Sequence, residues 1–248
     1  MWLTNHETRN TKHETRNTKH ETRNTKHRSQ ITHKNEFIKN PKLTPLKENG
    51  DFRSNECLAL LQQSDIVVTN PPFSLFREYV AKLIEYQKKF LIIGNLHAIT
   101  YKDFFPYLKD NKIWQGYTHP KLFLDVNTGT KEAFKLFGNI GWYTNLAIKK
   151  RSEILETIHT YAKNPEKYPK YDNYDAININ KTNEIPMDYE GVMGVPVTFL
   201  DKHNPEQFEI LGIDRYIKNN PNYGRRFKIN NKEIYARILI RRIMNKRE

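Results

Sequence analysis

An α/β fold with a parallel sheet is what residues 56–94 predict, on three observations. Asp65-Ile-Val-Val-Thr69 and Phe90-Leu-Ile-Ile-Gly94 are short apolar runs, rich in β-branched residues, with the composition of strands covered on both faces. Between them Leu75, Phe76, Tyr79, Val80, Leu83 and Ile84 recur at helical spacing and make one apolar stripe. The resulting strand–helix–strand crossover puts Asn70-Pro71-Pro72-Phe73 in the loop at the carboxyl end of its first strand, where open α/β sheets bind ligands.

The elements in front of that crossover differ in kind. Residues 6–27 read His-Glu-Thr-Arg-Asn-Thr-Lys three times, followed by His27. A period of seven invites a coiled coil, but the repeat has no Leu, Ile, Val, Phe or Met, so no apolar seam can form. Five of the nine histidines fall in residues 1–33. Their spacing of seven, with no thiol or carboxylate geometry around it, is a poor metal pattern, and no metal site is expected. The codons CAC GAA ACA CGA AAC ACG AAA would spell the unit as the heptanucleotide CACGAAA read through three frames. The repeat is then the translation of a seven-base tandem tract, whose gain or loss of one unit would switch a downstream frame on or off. Residues 1–49 as a whole are polar, interrupted by Pro41 and Pro45, and are expected to be a disordered repeat segment and linker.

From Gly50 the chain has the makings of a core. Residues 56–63 fit a short helix, and Ser74 is placed to cap the helix that follows the Pro-Pro loop. Trp142 to Leu146 reads as a further strand. Downstream, residues 152–163 carry a helical pattern, then a Tyr-, Lys-, Pro- and Asn-rich stretch reaches residue 175. Ile185 to Leu200 is turn-rich and partly buried. Residues 223–229 and 232–240 are predicted to form a hairpin about Asn230-Asn231.

The formal net charge is +13, and residues 50–248 remain basic once the basic amino-terminal segment is set aside. Excess Lys and Arg suit a polyanion, because neutralised phosphates release condensed counterions. Arg225, Arg226 and Lys228 are the candidate phosphate contacts; an ordinary charged sheet edge explains the same letters. The single cysteine, Cys57, excludes an internal disulfide or a multi-cysteine zinc site and fits a reducing compartment. With no apolar run of membrane-spanning length and no apolar signal segment, the sequence predicts a cytoplasmic monomer with no membrane partner.

Asn-Pro-Pro-Phe after a strand resembles the catalytic tetrapeptide of S-adenosylmethionine-dependent amino-methyltransferases. The chemistry accounts for the residue types: two acceptors, the Asn70 side-chain oxygen and the Pro71 carbonyl, can hold both hydrogens of an amino group. Two prolines stiffen the loop and remove competing donors, and Phe73 offers a ring to a base flipped out of the duplex. Asp51-Phe52, 19 residues ahead of Asn70, resembles the acidic element that receives the adenine of S-adenosylmethionine; without the family, a Gly-Asp pair is an ordinary turn. Gly50 to Val80, Gly138 to Leu146 and Asp188 to Gly212 together are similar to the EcoRI-type adenine-specific DNA methyltransferase family, from about Gly50 to the carboxyl terminus.

The resemblance implies an incomplete Rossmann-like methyltransferase domain over 50–248, with a DNA-recognition region over about 150–248. It also implies methylation of adenine N6 in double-stranded DNA, catalysed through Asn70, Pro71, Pro72 and Phe73, with cofactor contacts at Asp51, Phe52 and Asn70. Its setting would be a restriction-modification system with a cognate endonuclease as functional partner. A complete member also carries a strand, a glycine-bearing turn and a helix for the methionine end of the cofactor. The first glycine here is Gly50, and Gly138-Asn-Ile-Gly141 leads into a strand, not a helix. The sequence therefore predicts weak cofactor binding by a truncated or phase-varied product. A catalytically inactive DNA-binding remnant and an amino-methyltransferase acting on RNA or protein are the competing readings.

Overall fold

The computed structural model describes residues 45–48, 50–120, 122–124, 134–136, 138–217 and 224–243. The heptapeptide repeat and its expected disorder lie outside them. The short stretch 45–48 folds back on the first helix, where the Glu56 carboxylate accepts the backbone N–H groups of Lys47 and Glu48 at 2.9–3.1 Å. Those two donors, Glu48 foremost, hold the Glu56 carboxyl below the usual carboxylate range.

Helix α1 (Asn55–Gln63) starts at Ser54, whose hydroxyl accepts from the Cys57 N–H at 3.2 Å. Its carboxyl end is closed from outside the helix: the Lys88 ammonium donates to the carbonyls of Gln62 and Ser64 at 2.8 and 2.9 Å. Strand β1 (Ile66–Thr69) follows, and after the 70–75 loop comes α2 (Phe76–Glu85), which buries Phe76, Tyr79, Val80 and Leu83. Ser74 does not cap α2. It sits inside a 3-10 turn over Phe73–Leu75, and the capping position falls to Leu75, which makes no side-chain bond. The Leu75 N–H is instead satisfied by the Pro72 carbonyl at 3.1 Å.

Strand β2 (Lys89–Asn95) pairs parallel to β1, with Val67 opposite Phe90 and Thr69 opposite Ile92, so the crossover forms as the periodicity predicts. The first sheet has the order β1-β2-β6-β3, with β3 (Trp114–Gln115) and β6 (Ile140–Thr144) antiparallel additions. Helix α3 (Phe105–Lys109) leads into β3, and β4 (Leu122–Leu124) pairs with β5 (Phe134–Leu136) as a separate ribbon. One prediction is corrected here. β1 is not buried on both faces: Val67 is 6% exposed, whereas Ile66 and Val68 are 46% and 47% exposed. Helix α2 covers one face only, and β1 is the end strand of its sheet among the described residues. On the covered face Phe76, Phe104 and Tyr143 cluster with ring centroids 5.1–5.5 Å apart. Gly94 lets β2 come this close, since a Cβ there would lie 2.4 Å from the Phe76 ring.

The second sheet, β10-β13-β9-β8-β7, is built from β7 (Lys170–Tyr171), β8 (Tyr174–Asn178), β9 (Met193–Pro196), β10 (Phe208–Ile213) and β13 (Arg237–Arg242). All neighbours are antiparallel except β8 and β9. β13 alternates between two cores: Ile238 and Ile240 enter the large cluster shared with the first sheet, and Leu239 enters a smaller one with Tyr171, Ala176 and Phe227. The Asn230-Asn231 turn forms as predicted, both residues taking positive φ (51° and 62°) between β11 (Lys228–Ile229) and β12 (Lys232–Glu233). The hairpin is shorter than predicted, because residues 237–242 leave it to pair between β10 and β9 in the second sheet. Residues 152–163 are not a helix. After a 3-10 turn over Lys149–Ser152 the chain runs extended, because the Gln207 side-chain amide bonds both the N–H and the carbonyl of Leu155, at 2.8 and 2.9 Å. The Asp188 carboxylate then takes the N–H groups of Tyr161 and Ala162.

Candidate active site at the carboxyl end of the parallel strands

Parallel pairing of β1 and β2 brings the loops after both strands to one edge of the sheet. The 70–73 loop leaves β1 there. Pro71 is buried and anchors it, while Asn70 is exposed and Phe73 is 44% exposed. Among the described residues the Asn70 side chain has no hydrogen-bond partner, and no backbone N–H reaches the Pro71 carbonyl. Two acceptors thus stand at the end of a buried anchor with their lone pairs unclaimed. The next loop braces this one: the Arg77 guanidinium, on the first turn of α2, lies 5.4 Å from the Tyr101 ring centroid and 3.4 Å from the Asp103 carboxylate.

Asp51 and Phe52 arrive beside the same strand. Phe52 packs edge-on against Tyr79 of α2, with centroids 5.1 Å apart, and helps to line a small apolar hollow of about 70 Å³ with Val67, Thr69 and Leu83. The Asp51 carboxylate is engaged by its neighbour: Arg53 donates through Nε at 2.9 Å, Nη2 at 2.6 Å and its backbone N–H at 2.9 Å. The Arg53 side-chain bonds, with this backbone bond behind them, pull the Asp51 carboxyl down to about 2. The same guanidinium stands 5.5 Å from the Phe52 centroid and 3.6 Å from Glu78. Arg53 therefore lies over both residues that the resemblance assigns to the cofactor's adenine. The acidic element and the strand leading to Asn70 stand side by side, with the Arg53 guanidinium across the carboxylate and the ring that a cofactor's nucleoside end would have to reach.

Arg225, Arg226 and Lys228 lie in one short, exposed to half-buried run beside the smaller core of the second sheet. Between them the Phe227 ring is buried and stacks on Tyr171 and Tyr174, with centroids 4.5 and 5.1 Å away. The Asn173 side chain fixes this run, donating to the Arg226 carbonyl and accepting the Lys228 N–H, both at 3.0 Å. Beneath it lies Asp214, 2% exposed, whose carboxylate oxygens have no hydrogen-bond partner. Burial raises its pKa, and the charges of Arg215, Arg226 and Arg237 oppose that rise.

A cleft that the sequence reading did not single out lies between the two sheets. It encloses about 540 Å³, lined from one side by Leu96, Ile99 and Gln115 and from the other by Asn183, Val197 and Lys202. At its rim Asp201 joins three segments: His119 Nε2 is 3.3 Å from its Oδ1, and the Lys150 ammonium donates to the same oxygen. No periodicity marks these residues, because they come from loops distant in sequence; only a histidine and a lysine spaced around strand ends hint at them. Among the described residues no helix is long and apolar enough to cross a membrane, and no cluster of metal-ligating side chains is present.

A family model described as the adenine-specific methyltransferase EcoRI matches residues 2–243, a span that begins ahead of the Gly50 where the resemblance was read to start. The chain is 47% identical over 214 residues to the Type II methyltransferase M.EcoRI of Escherichia coli, covering 78% of this chain and 62% of that protein. It is 40% identical over 227 residues to M.MgeORF184P of Mycoplasma genitalium, covering 80% and 71%, and 42% identical over 188 residues to M.MpnI of Mycoplasma pneumoniae, covering 70% and 59%. The chain thus spans 59–71% of the length of these curated relatives. No solved structure matches it.

Proposed function

The chain belongs to the EcoRI-type adenine-specific methyltransferase family, and from that premise we propose that it methylates adenine N6 in double-stranded DNA, through the 70–73 loop of a Rossmann-like domain. The observation that carries this reading is the pair of unclaimed acceptors on Asn70 and Pro71, held at the carboxyl end of a parallel strand by a buried proline. An adenine amino group is a poor nucleophile because its lone pair is delocalised into the ring. Asn70 Oδ1 and the Pro71 carbonyl accept its two hydrogens, draw the nitrogen toward tetrahedral geometry and leave the lone pair pointing away from both. Phe73 offers its exposed ring to the face of the extruded base. S-adenosylmethionine, when bound, supplies an electrophilic methyl group on a sulfonium sulfur. As the nitrogen gained the methyl group the carbon–sulfur bond would break, leaving a neutral thioether, and the surplus proton would leave along the hydrogen bond to Asn70 and pass to solvent. Asp51 and Phe52 would hold the nucleoside end of the cofactor, and Arg225, Arg226 and Lys228 would take phosphates. The mark would protect host DNA from a cognate restriction endonuclease, a functional partner only.

Transfer of tritiated methyl groups from S-adenosylmethionine to unmethylated DNA tests the reading. Asn70→Ala should lower the rate by a factor of roughly 100 to 1,000, the loss typical of removing one preorganised polar contact. Unchanged transfer by that variant would remove the loop from the chemistry. A second reading, DNA binding without catalysis, is favoured by the Arg53 guanidinium lying across Asp51 and Phe52; DNA retention with no transfer by the unaltered chain would select it.

A further inference from the structure

We propose that Arg53 is a latch on the acidic element: lying on Asp51 and Phe52 it closes the cofactor's nucleoside seat, and swinging onto Glu78 it opens it. This rests on the methyltransferase reading of Asp51 and Phe52 and adds a control on that same site.

The closed position is held from several directions. Arg53 Nε and Nη2 donate to different oxygens of the Asp51 carboxylate, at 2.9 and 2.6 Å. A fork laid along a carboxylate in this way is the strong form of the pair. The Arg53 backbone N–H adds a bond to the same carboxylate at 2.9 Å, and the Ser54 N–H closes the turn on the Asp51 carbonyl at 2.9 Å. The guanidinium carbon also stands 5.5 Å from the Phe52 centroid, while an edge-on contact with Tyr79 fixes that ring from another side. One planar group therefore covers both the acceptor that would meet a base's exocyclic amine and the ring that would meet the base itself.

The same contacts are of a kind that can open. The Arg53 and Asp51 side chains are 47% and 31% exposed, and an ion pair this open to water contributes little net stability. A second carboxylate stands beside it. Glu78, on the first turn of α2, lies 3.6 Å from Arg53 Nη1, the guanidinium nitrogen that the two Asp51 side-chain bonds leave over. Arg77, next to Glu78 on the helix, is turned instead to Asp103 and Tyr101. Moving Arg53 fully onto Glu78 exchanges one carboxylate for another, so the guanidinium keeps a partner in both positions. A ligand that needs Asp51 binds the open form alone, and its apparent affinity falls with the fraction of chains that are closed.

Isothermal titration of the full chain with S-adenosylhomocysteine, the demethylated cofactor, tests the latch. Arg53→Ala should bind roughly fivefold tighter than the unaltered chain, the scale of one exposed charge pair. Glu78→Gln weakens the open position and should bind about threefold more weakly. In the Arg53→Ala background the same Glu78→Gln change should have no effect, because nothing is left to be caught. Both positions are exposed, so neither substitution disturbs the core. Binding by Arg53→Ala no tighter than by the unaltered chain, or absent from both, overturns the proposal. An equal loss on Glu78→Gln with and without Arg53 overturns it too. Methyl transfer by the unaltered chain with equal affinities sinks the latch and leaves the methyltransferase reading standing. Tighter binding by Arg53→Ala with no transfer by any variant keeps the latch and removes that reading.

Discussion

The two sheets handle the same physical problem in opposite ways. In the second sheet the interior strand β13 presents Ile238, Leu239 and Ile240 with no exposed surface, feeding apolar side chains into cores on both faces. In the first sheet β1 buries Val67 and leaves Ile66 and Val68 nearly half exposed, and the loop that follows it holds an exposed Asn70 and a half-open Phe73. Stability is concentrated where no chemistry is proposed. The exposed, unclaimed acceptors of the 70–73 loop stand at the edge where chemistry is proposed. The division is the expected one for a scaffold carrying a site, because groups that must bind a ligand are unpaired without it.

Substitutions should expose that division. Ile240→Ala empties a fully buried position on an interior strand of the second sheet and should destabilise the chain by about 4 kcal/mol, whereas Val68→Ala on β1 should change stability by under about 1 kcal/mol. Urea denaturation of the pair measures the contrast, and equal losses would erase it.

Acid should also act first on the second region. His203 is buried beside β10, with Nε2 2.8 Å from the Phe208 carbonyl, and burial pulls its pKa from 6.5 down to about 4. The unfolded chain then binds the proton more readily than the folded one. Stability is full above pH 6.5, falls as pH drops from 6.5 toward 4, and levels below. The loss is on the order of 3 kcal/mol. Thermal melts across that range should show it, and His203→Gln should flatten the profile.

The smallest effect belongs to the hairpin. Asn231→Ala places a Cβ-bearing residue without a compensating polar side chain at a φ of 62° and should cost about 1 kcal/mol, while Asn231→Gly should be nearly neutral. A larger loss would mean that the Asp172 carboxylate, which accepts the Asn230 and Asn231 N–H groups at 3.2 and 2.7 Å, ties the turn to the sheet more strongly than backbone preference alone implies.

What could be read from the letters follows from how local each cause is. The crossover was legible because a buried stripe and two apolar runs are local patterns, and α2 buries four of the six residues the stripe names. The Asn-Asn turn was legible because few residues tolerate positive φ. Residues 152–163 misled because Ile154, Leu155, Ile158 and Tyr161 have helical spacing, yet a glutamine some fifty residues away captures the Leu155 backbone and leaves Ile154 and Ile158 73% and 85% exposed. Asn70 and its neighbours stood out because a tetrapeptide is contiguous. Gln115 and Asn183 did not, because the wall that each supplies exists only once two sheets have met.

Among the described residues β1 has one edge without a neighbouring strand, and that edge also governs how this chain behaves in a tube. A strand with open backbone N–H and C=O groups and two half-exposed β-branched residues is a template for another copy of itself. Refolding yield should fall with protein concentration, and filament or precipitate should nucleate there before the tightly covered second sheet takes any part. A lysine at position 68 would place charge on that surface and keep the copies apart.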